Sequence, residues 1–112
     1  MMASIFDVRD PRGYKVSCTE ECWEFHILDE HLEMDGLEDR VKGTIQAPFL
    51  GFIYQDKDYP ERNIYYSLDS SREYYIKVVV EFSTEDAGEV ITAFLTDSPK
   101  PGERMIWPIS KD

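Results

Sequence analysis

The sequence predicts an α+β domain. Two N-terminal helices pack on one face of a roughly four-stranded antiparallel sheet, and the other face stays open. Three observations predict it. Residues 19–46 carry apolar side chains at helical spacing. Residues 52–96 carry runs rich in aromatic and β-branched side chains, broken by polar loops. The two longest runs, 73–82 and 89–96, are joined by residues 83–88 alone, too short a link for a parallel crossover.

The elements follow in chain order. Residues 1–16 contain Asp10-Pro11-Arg12-Gly13, a turn signal, and are expected to form an arm with at most one short strand. Residues 17–112 are expected to form one compact α+β domain, as 112 residues suit a single core. The first helix is expected from Ser17, which has capping-box spacing to Glu20. Over residues 19–34, Trp23, Ile27, Met34, Leu28, Leu32 and Phe25 make a wide apolar arc. Asp35-Gly36 ends it by the glycine stop. A second helix is expected over 37–46, with Leu37, Val41 and Ile45 as its stripe and Pro48 beyond its end. Strands are expected at 52–55, 63–68, 73–82 and 89–96, with a short segment at 105–107 after Pro99 and Pro101.

Alternation separates the two sheet faces. In the third strand Tyr74, Ile76, Val78, Val80 and Phe82 form the apolar set. In the fourth, Ile91, Ala93 and Leu95 do so, with Val90, Thr92, Phe94 and Thr96 opposite. That leaves Tyr75, Lys77, Thr92 and Thr96 facing away from the helices. Lys77 lies within Tyr-Ile-Lys-Val-Val-Val, so its face must be wet. It is either an ordinary exposed residue or a cation held on a rigid platform for phosphate charge. Thr92 and Thr96 are good strand residues that could also hydrogen-bond a phosphate oxygen. Tyr54, Tyr65, Tyr66, Tyr74 and Tyr75 serve packing, and one or two facing outward could stack on bases.

The chain carries 12 Lys+Arg against 23 Asp+Glu, a net charge of −11. Nucleic-acid-coating and membrane-surface proteins need a basic field, which argues against both. Residues 20–39 hold nine acids and no Lys or Arg, which reads as a solvated face or as a surface for a basic partner. No apolar run is long enough to span a bilayer and no secretory leader is evident, so a cytoplasmic protein is expected. Cys18 and Cys22 do not make a disulfide framework. His26 and His31, five apart, cannot share one metal from a regular helix, and no metal or cofactor is expected. His31 reads as a core histidine or as a general acid or base. His26 reads as exposed. Gly-rich phosphate loops and nucleophile elbows are missing.

The segment Trp23-Glu24-Phe25-His26-Ile27-Leu28-Asp29-Glu30-His31-Leu32-Glu33 looks like the W-x-x-H-I-x-x-x-H-P-E helix of small phage- and mobile-element-associated proteins. It is followed by Ile45-Gln46-Ala47-Pro48, Tyr65-Tyr66, Tyr75-Ile76-Lys77-Val78-Val79-Val80 and Val90-Ile91-Thr92-Ala93-Phe94. That order resembles the phage-associated barnase–EndoU–colicin E5/D–RelE-like (BECR-fold) nuclease family over residues 16–107. Leu32 stands where that pattern has proline. The resemblance implies a small metal-independent RNA endonuclease, of the kind that serves as a toxin or phage-conflict effector, with a cognate antitoxin or inhibitor protein as partner. It implies helices on a four-stranded sheet with the site on the open face. Carried over by position, His26, His31, Lys77 and Thr92 are the catalytic candidates, and Arg40 joins Tyr75, Thr96 and Tyr65 as substrate-binding candidates. The chemistry implied is transesterification by the RNA 2′-OH. A histidine acts as base or acid, Lys77 stabilises the phosphorane and Thr92 donates to phosphate. Two other readings fit the composition. One is a catalytically inactive acidic module for a basic protein partner. The other is an oligomer joined through an aromatic sheet face.

Overall fold

A computed structural model describes residues 3–69, 71 and 73–109. The outer ends of the expected arm and domain, residues 1–2 and 110–112, lie outside the described residues. The strands are β1 (Ser4–Arg9), β2 (Lys15–Thr19), β3 (Ile53–Gln55), β4 (Arg62–Leu68), β5 (Tyr75–Phe82), β6 (Ala87–Thr96) and β7 (Arg104–Trp107). They form one mixed seven-stranded sheet in the order β1-β2-β6-β5-β4-β3-β7. All neighbours are antiparallel except β2 and β6, which run parallel. This corrects the expected four-stranded antiparallel sheet behind two N-terminal helices. Residues 1–16, expected as an arm, supply β1 and the start of β2.

β2 also displaces the start of the first helix. Val16 and Cys18 are buried while Ser17 is half-buried, the period of two that belongs to a strand. The capping box at Ser17 and Glu20 therefore does not form. The expected helix over 19–34 is instead a π-helix at Cys22–Leu28 and a 3-10 turn at Leu32–Met34. A π-turn is wider than an α-turn, so the arc drawn at α-helical spacing does not hold. Trp23, Ile27 and Met34 are buried, whereas Phe25 is 65% and Leu32 74% exposed. The α-helix α1 (Glu38–Gln46) starts one residue inside its expected bounds and buries Val41 and Ile45.

One face of the sheet meets these helices. Phe6, Val8, Val16, Cys18, Ile53, Tyr65, Ile76, Val78, Val80, Val90 and Ala93 pack there against Trp23, Ile27, Met34, Val41 and Ile45. Each fully buried Ile or Val contributes roughly 1.5–3 kcal/mol relative to exposure. Gly88 lets β6 approach β5, since a Cβ there would lie 2.8 Å from Val80 Cγ1 and 3.0 Å from the Glu81 carbonyl oxygen.

The far face has its own smaller cluster of Ile64, Tyr66 and Val79, with Tyr54, Tyr75 and Ile91 against it. Register shifts between Val79 and Val80, leaving Ile91 as a bulge. Alternation alone put Ile91 on the helix face and Val90 on the far face; the bulge exchanges them. Thr92, Phe94 and Thr96 stay on the far face, opposite Val79, Lys77 and Tyr75. Tyr74 falls outside β5 and is 44% exposed. The far face is not fully open, because the segment 97–103 returns across it and places Glu103 against Lys77.

The β1–β2 turn is pinned to the sheet from below. Gly13, at φ +87°, closes the turn with its N–H on the Asp10 carbonyl at 2.8 Å. Asp10 Oδ1 accepts the Arg12 and Tyr14 N–H groups at 2.8 and 3.2 Å. Asp10 Oδ2 accepts Arg12 Nη2 at 2.7 Å and the Tyr65 hydroxyl at 2.8 Å. Arg12 Nη2 also reaches Asn63 Oδ1 at 2.7 Å, and its guanidinium lies 4.4 Å from the Tyr14 ring centre. Among the described residues, no helix is long and apolar enough to cross a membrane.

Candidate functional site at the edge of β6

The candidate site lies along one edge of β6. β2 pairs with β6 only as far as Ser17 and Glu89. Beyond that point β6 has a strand, β5, on one side, and the π-helix with its following turn covers the other. The Thr19 hydroxyl accepts the Cys22 N–H at 3.1 Å at the head of the π-helix. The buried Cys22 thiol then donates to the Val90 carbonyl oxygen at 2.9 Å and ties the π-helix to the strand. Cys18 and Cys22 are both free thiols.

This arrangement carries two expected residues to one strand. His26, exposed on the π-helix, lines a groove of about 300 Å³ with Glu21, Glu89 and Ile91. His31 follows the break after Leu28. Its ring stacks on Phe94 with centroids 5.0 Å apart and a 30° tilt. Its Nδ1 is 3.8 Å from Glu33 Oε2. On a regular helix the two imidazoles would diverge. The π-turn and the break after it put one beside Ile91 and the other beside Phe94, with half-buried Thr92 between those positions.

Lys77 is on the expected face but is not a free cation. Its Nζ is 2.8 Å from Glu103 Oε2, and the two side chains are 9% and 3% exposed. The Tyr66 hydroxyl donates to Glu103 Oε1. It also accepts the Lys100 N–H at 3.4 Å. Lys77 Nζ lies 5.6 Å from the centre of Phe94, the ring that His31 stacks on. Lys77 thus sits beneath the site as half of a neutral pair.

The other expected residues scatter. Tyr75 belongs to a far-face row of edge-to-face rings, 6.1 Å from both Phe49 and Tyr66, with Tyr54 5.8 Å beyond Tyr66. Thr96 donates to the Ser98 carbonyl at 3.0 Å. Arg40 donates to the Leu68 carbonyl at 3.1 Å. Tyr65 is on the helix face, fully buried against Asp10, and cannot stack on a base from there; its alternation partner Tyr66 faces the site side. The sequence does not single out Glu103, and it marks Tyr66 only among the packing or stacking tyrosines and Phe94 only as a far-face residue. A lysine inside an apolar strand calls for a carboxylate partner, which was the signal for Glu103, but nothing local says which acid returns.

Tyr65 and Tyr66 make the fold alkali-sensitive. Burial, then the Asp10 carboxylate, pushes the Tyr65 hydroxyl well above the usual tyrosine range. Burial, then the hydrogen bond to Glu103, does the same for Tyr66. Above about pH 10 the unfolded chain loses these protons and the folded chain keeps them. Stability conferred by the pair is therefore complete below pH 10 and falls as pH rises. The slope is up to about 1.4 kcal/mol per pH unit for each tyrosine. Urea unfolding at stepped pH will show a plateau and then this decline, and Tyr65→Phe will make the decline shallower. An unchanged slope in that variant would count against the assignment.

Among the described residues, no three His, Cys, Asp or Glu side chains are grouped to hold a metal ion. Compared with known proteins, the chain matches no family model, no curated sequence and no solved structure.

Proposed function

We propose that the chain is a metal-independent RNA endonuclease acting at the edge of β6. One observation carries the reading: His26 lines a groove with Ile91 and the His31 ring stacks on Phe94 of the same strand, with Thr92 between those two in sequence. Two imidazoles brought to one strand suit general acid–base transesterification. One imidazole takes the proton of the RNA 2′-OH as O2′ bonds to phosphorus. The other, protonated, gives its proton to O5′ as the P–O5′ bond breaks. The products are a 2′,3′-cyclic phosphate and a 5′-hydroxyl, with no water consumed. Thr92 is assigned to a non-bridging phosphate oxygen. Lys77, paired with Glu103, is a positioning residue that holds the floor under Phe94. Tyr75 and Tyr54 offer stacking surface. The π-turn that presents His26 is a rare backbone form found often at functional sites. The acids of residues 20–39 oppose RNA binding: at physiological salt charge reaches about 8 Å, and Glu21 in the His26 groove and Glu33 beside His31 lie within it.

The test uses a labelled RNA and its all-2′-deoxy counterpart, with EDTA present. Wild type will cleave only the RNA and leave a cyclic phosphate end. His26→Ala and His31→Ala, folded by circular dichroism, will each be at least about 100-fold slower. RNA left intact by stoichiometric wild-type protein would overturn the reading.

One observation favours a second reading. Eight of the nine acids in residues 20–39 are exposed, and the exposed Phe25 and Leu32 lie among them. An acidic surface with two apolar anchors suits a basic protein partner. Intact RNA, together with salt-sensitive capture of a basic protein that Phe25→Ser/Leu32→Ser abolishes, would favour it.

A further inference from the structure

We infer that the far face of β1, β2 and β6 is a seat for the phosphate backbone of a bound single-stranded oligonucleotide, with Arg9 and Lys15 as its cations; as a flanking subsite it rests on the nuclease reading above. A groove of about 620 Å³ lies there, lined by Asp7, Arg9, Lys15, Ser17, Ala87 and Glu89. That is room for a nucleotide unit. Its floor bears the small side chains Ser17 and Ala87, so the surface is concave where a sheet would otherwise bristle.

The cations are placed against the needs of stability. Arg9 and Lys15 are direct register partners across β1 and β2. Like charges directly opposite on antiparallel strands are destabilising. Among the described residues neither has a carboxylate within ion-pair distance. Arg9 spends Nη1 on the Gly13 carbonyl at 2.7 Å, which steadies the side chain and leaves Nε and Nη2 for another acceptor. Three basic side chains are committed to acids, Arg12 to Asp10, Arg62 to Glu81 and Lys77 to Glu103, while Arg40 and Arg104 donate to the Leu68 carbonyl and to Gln55 Oε1. What sets Arg9 and Lys15 apart is that they face each other across β1 and β2 and line one groove. An arginine fork beside a lysine point charge suits phosphate oxygens.

Position selects a polymer. Lys15 pairs with Ala87, and Thr92 lies five residues further along β6 on the same face. At about 3.3 Å per residue that is roughly 16 Å, a span of more than one nucleotide. Asp7 and Glu89 line the same groove and repel phosphate, which confines the backbone to the Arg9 and Lys15 corner. A strand seated there continues along β6 toward Thr92 and the two histidines.

The test is fluorescence anisotropy with an all-2′-deoxy 12-mer, which cannot undergo 2′-OH cleavage. The proteins are wild type, Arg9→Gln/Lys15→Gln and, as a charge-matched control, Lys42→Gln/Lys57→Gln. The first double variant will weaken binding about tenfold at 50 mM salt, and will lower the log–log salt slope by about 1.4, or 0.7 per lost phosphate contact. The control will bind like wild type. Equal behaviour of the two double variants, or no binding by wild type, would overturn the seat. Cleavage of an all-ribose 12-mer is followed in parallel. Wild type that binds through Arg9 and Lys15 yet leaves this RNA intact overturns the nuclease reading and keeps the seat; cleavage without dependence on them does the reverse.

Discussion

Replacing Glu103 by alanine will lower the free energy of unfolding by ~3–5 kcal/mol. The Lys77 ammonium would remain inside the far face, 9% exposed, with its only ion-pair partner among the described residues gone. The Tyr66 hydroxyl would lose its acceptor at the same time. Removing one member of a buried pair costs far more than the pair contributes as a whole, because the survivor keeps its desolvation penalty without its partner. The double variant Lys77→Met/Glu103→Leu should therefore recover most of the loss. Glu103→Gln should fall between, since the amide still accepts from Tyr66 but no longer offsets the charge. Guanidinium unfolding midpoints at neutral pH, with equal m-values, check the order. A Glu103→Ala loss below about 1 kcal/mol would mean that water reaches Lys77, as it reaches exposed pairs of that worth.

This pair also marks where sequence reading stopped. β4, β5 and β6 were legible because runs such as Ile76-Lys77-Val78-Val79-Val80 combine β-branching with polar loops at either end. α1 was legible because Leu37, Val41 and Ile45 repeat every four residues before Pro48. The features that were missed are non-local or depend on backbone detail. β1 and β2 carry Asp7, Arg9 and Lys15 on their outer face, and their short apolar sets, Phe6 with Val8 and Val16 with Cys18, resemble an arm until the sheet closes on them. The parallel pairing of β2 with β6 joins residues about seventy apart and leaves no local trace. Ser17 and Glu20 have capping-box spacing by accident of the strand end. The bulge at Ile91 and the π-turn at Cys22–Leu28 both change the period on which face assignments depend. His26 and His31 illustrate the consequence: helical spacing separates them, and the actual backbone aligns them along one strand. Tyr65 and Tyr66 illustrate the reverse, since alternation puts only one on the far face and does not say which.

Asp10→Ala is expected to be as damaging as the loss of Glu103, by ~3–5 kcal/mol. Its carboxylate is fully buried, and the Arg12 side chain it holds is 11% exposed. Four groups depend on it: the Arg12 and Tyr14 N–H groups, the Arg12 guanidinium and the Tyr65 hydroxyl. Alanine would strand all four and leave a guanidinium against Asn63 and aromatic rings with no counter-charge. Arg12→Ala should cost less, because the remaining carboxylate keeps the Tyr65 hydroxyl and the Tyr14 N–H as donors. Asp10→Asn should cost less again than alanine, since its amide oxygen can still accept from the turn. That ordering separates a charge network from a mere turn signal, in which Asp10→Asn would be neutral. Placing the network at the turn has a further effect. It orients β1 against β2, so Asp10→Ala should loosen the hairpin that carries Arg9 and Lys15. Amide exchange in β1 and β2 should then rise more than in β4 and β5. Uniform loss of protection across all four strands would show that the turn and the sheet unfold as one unit.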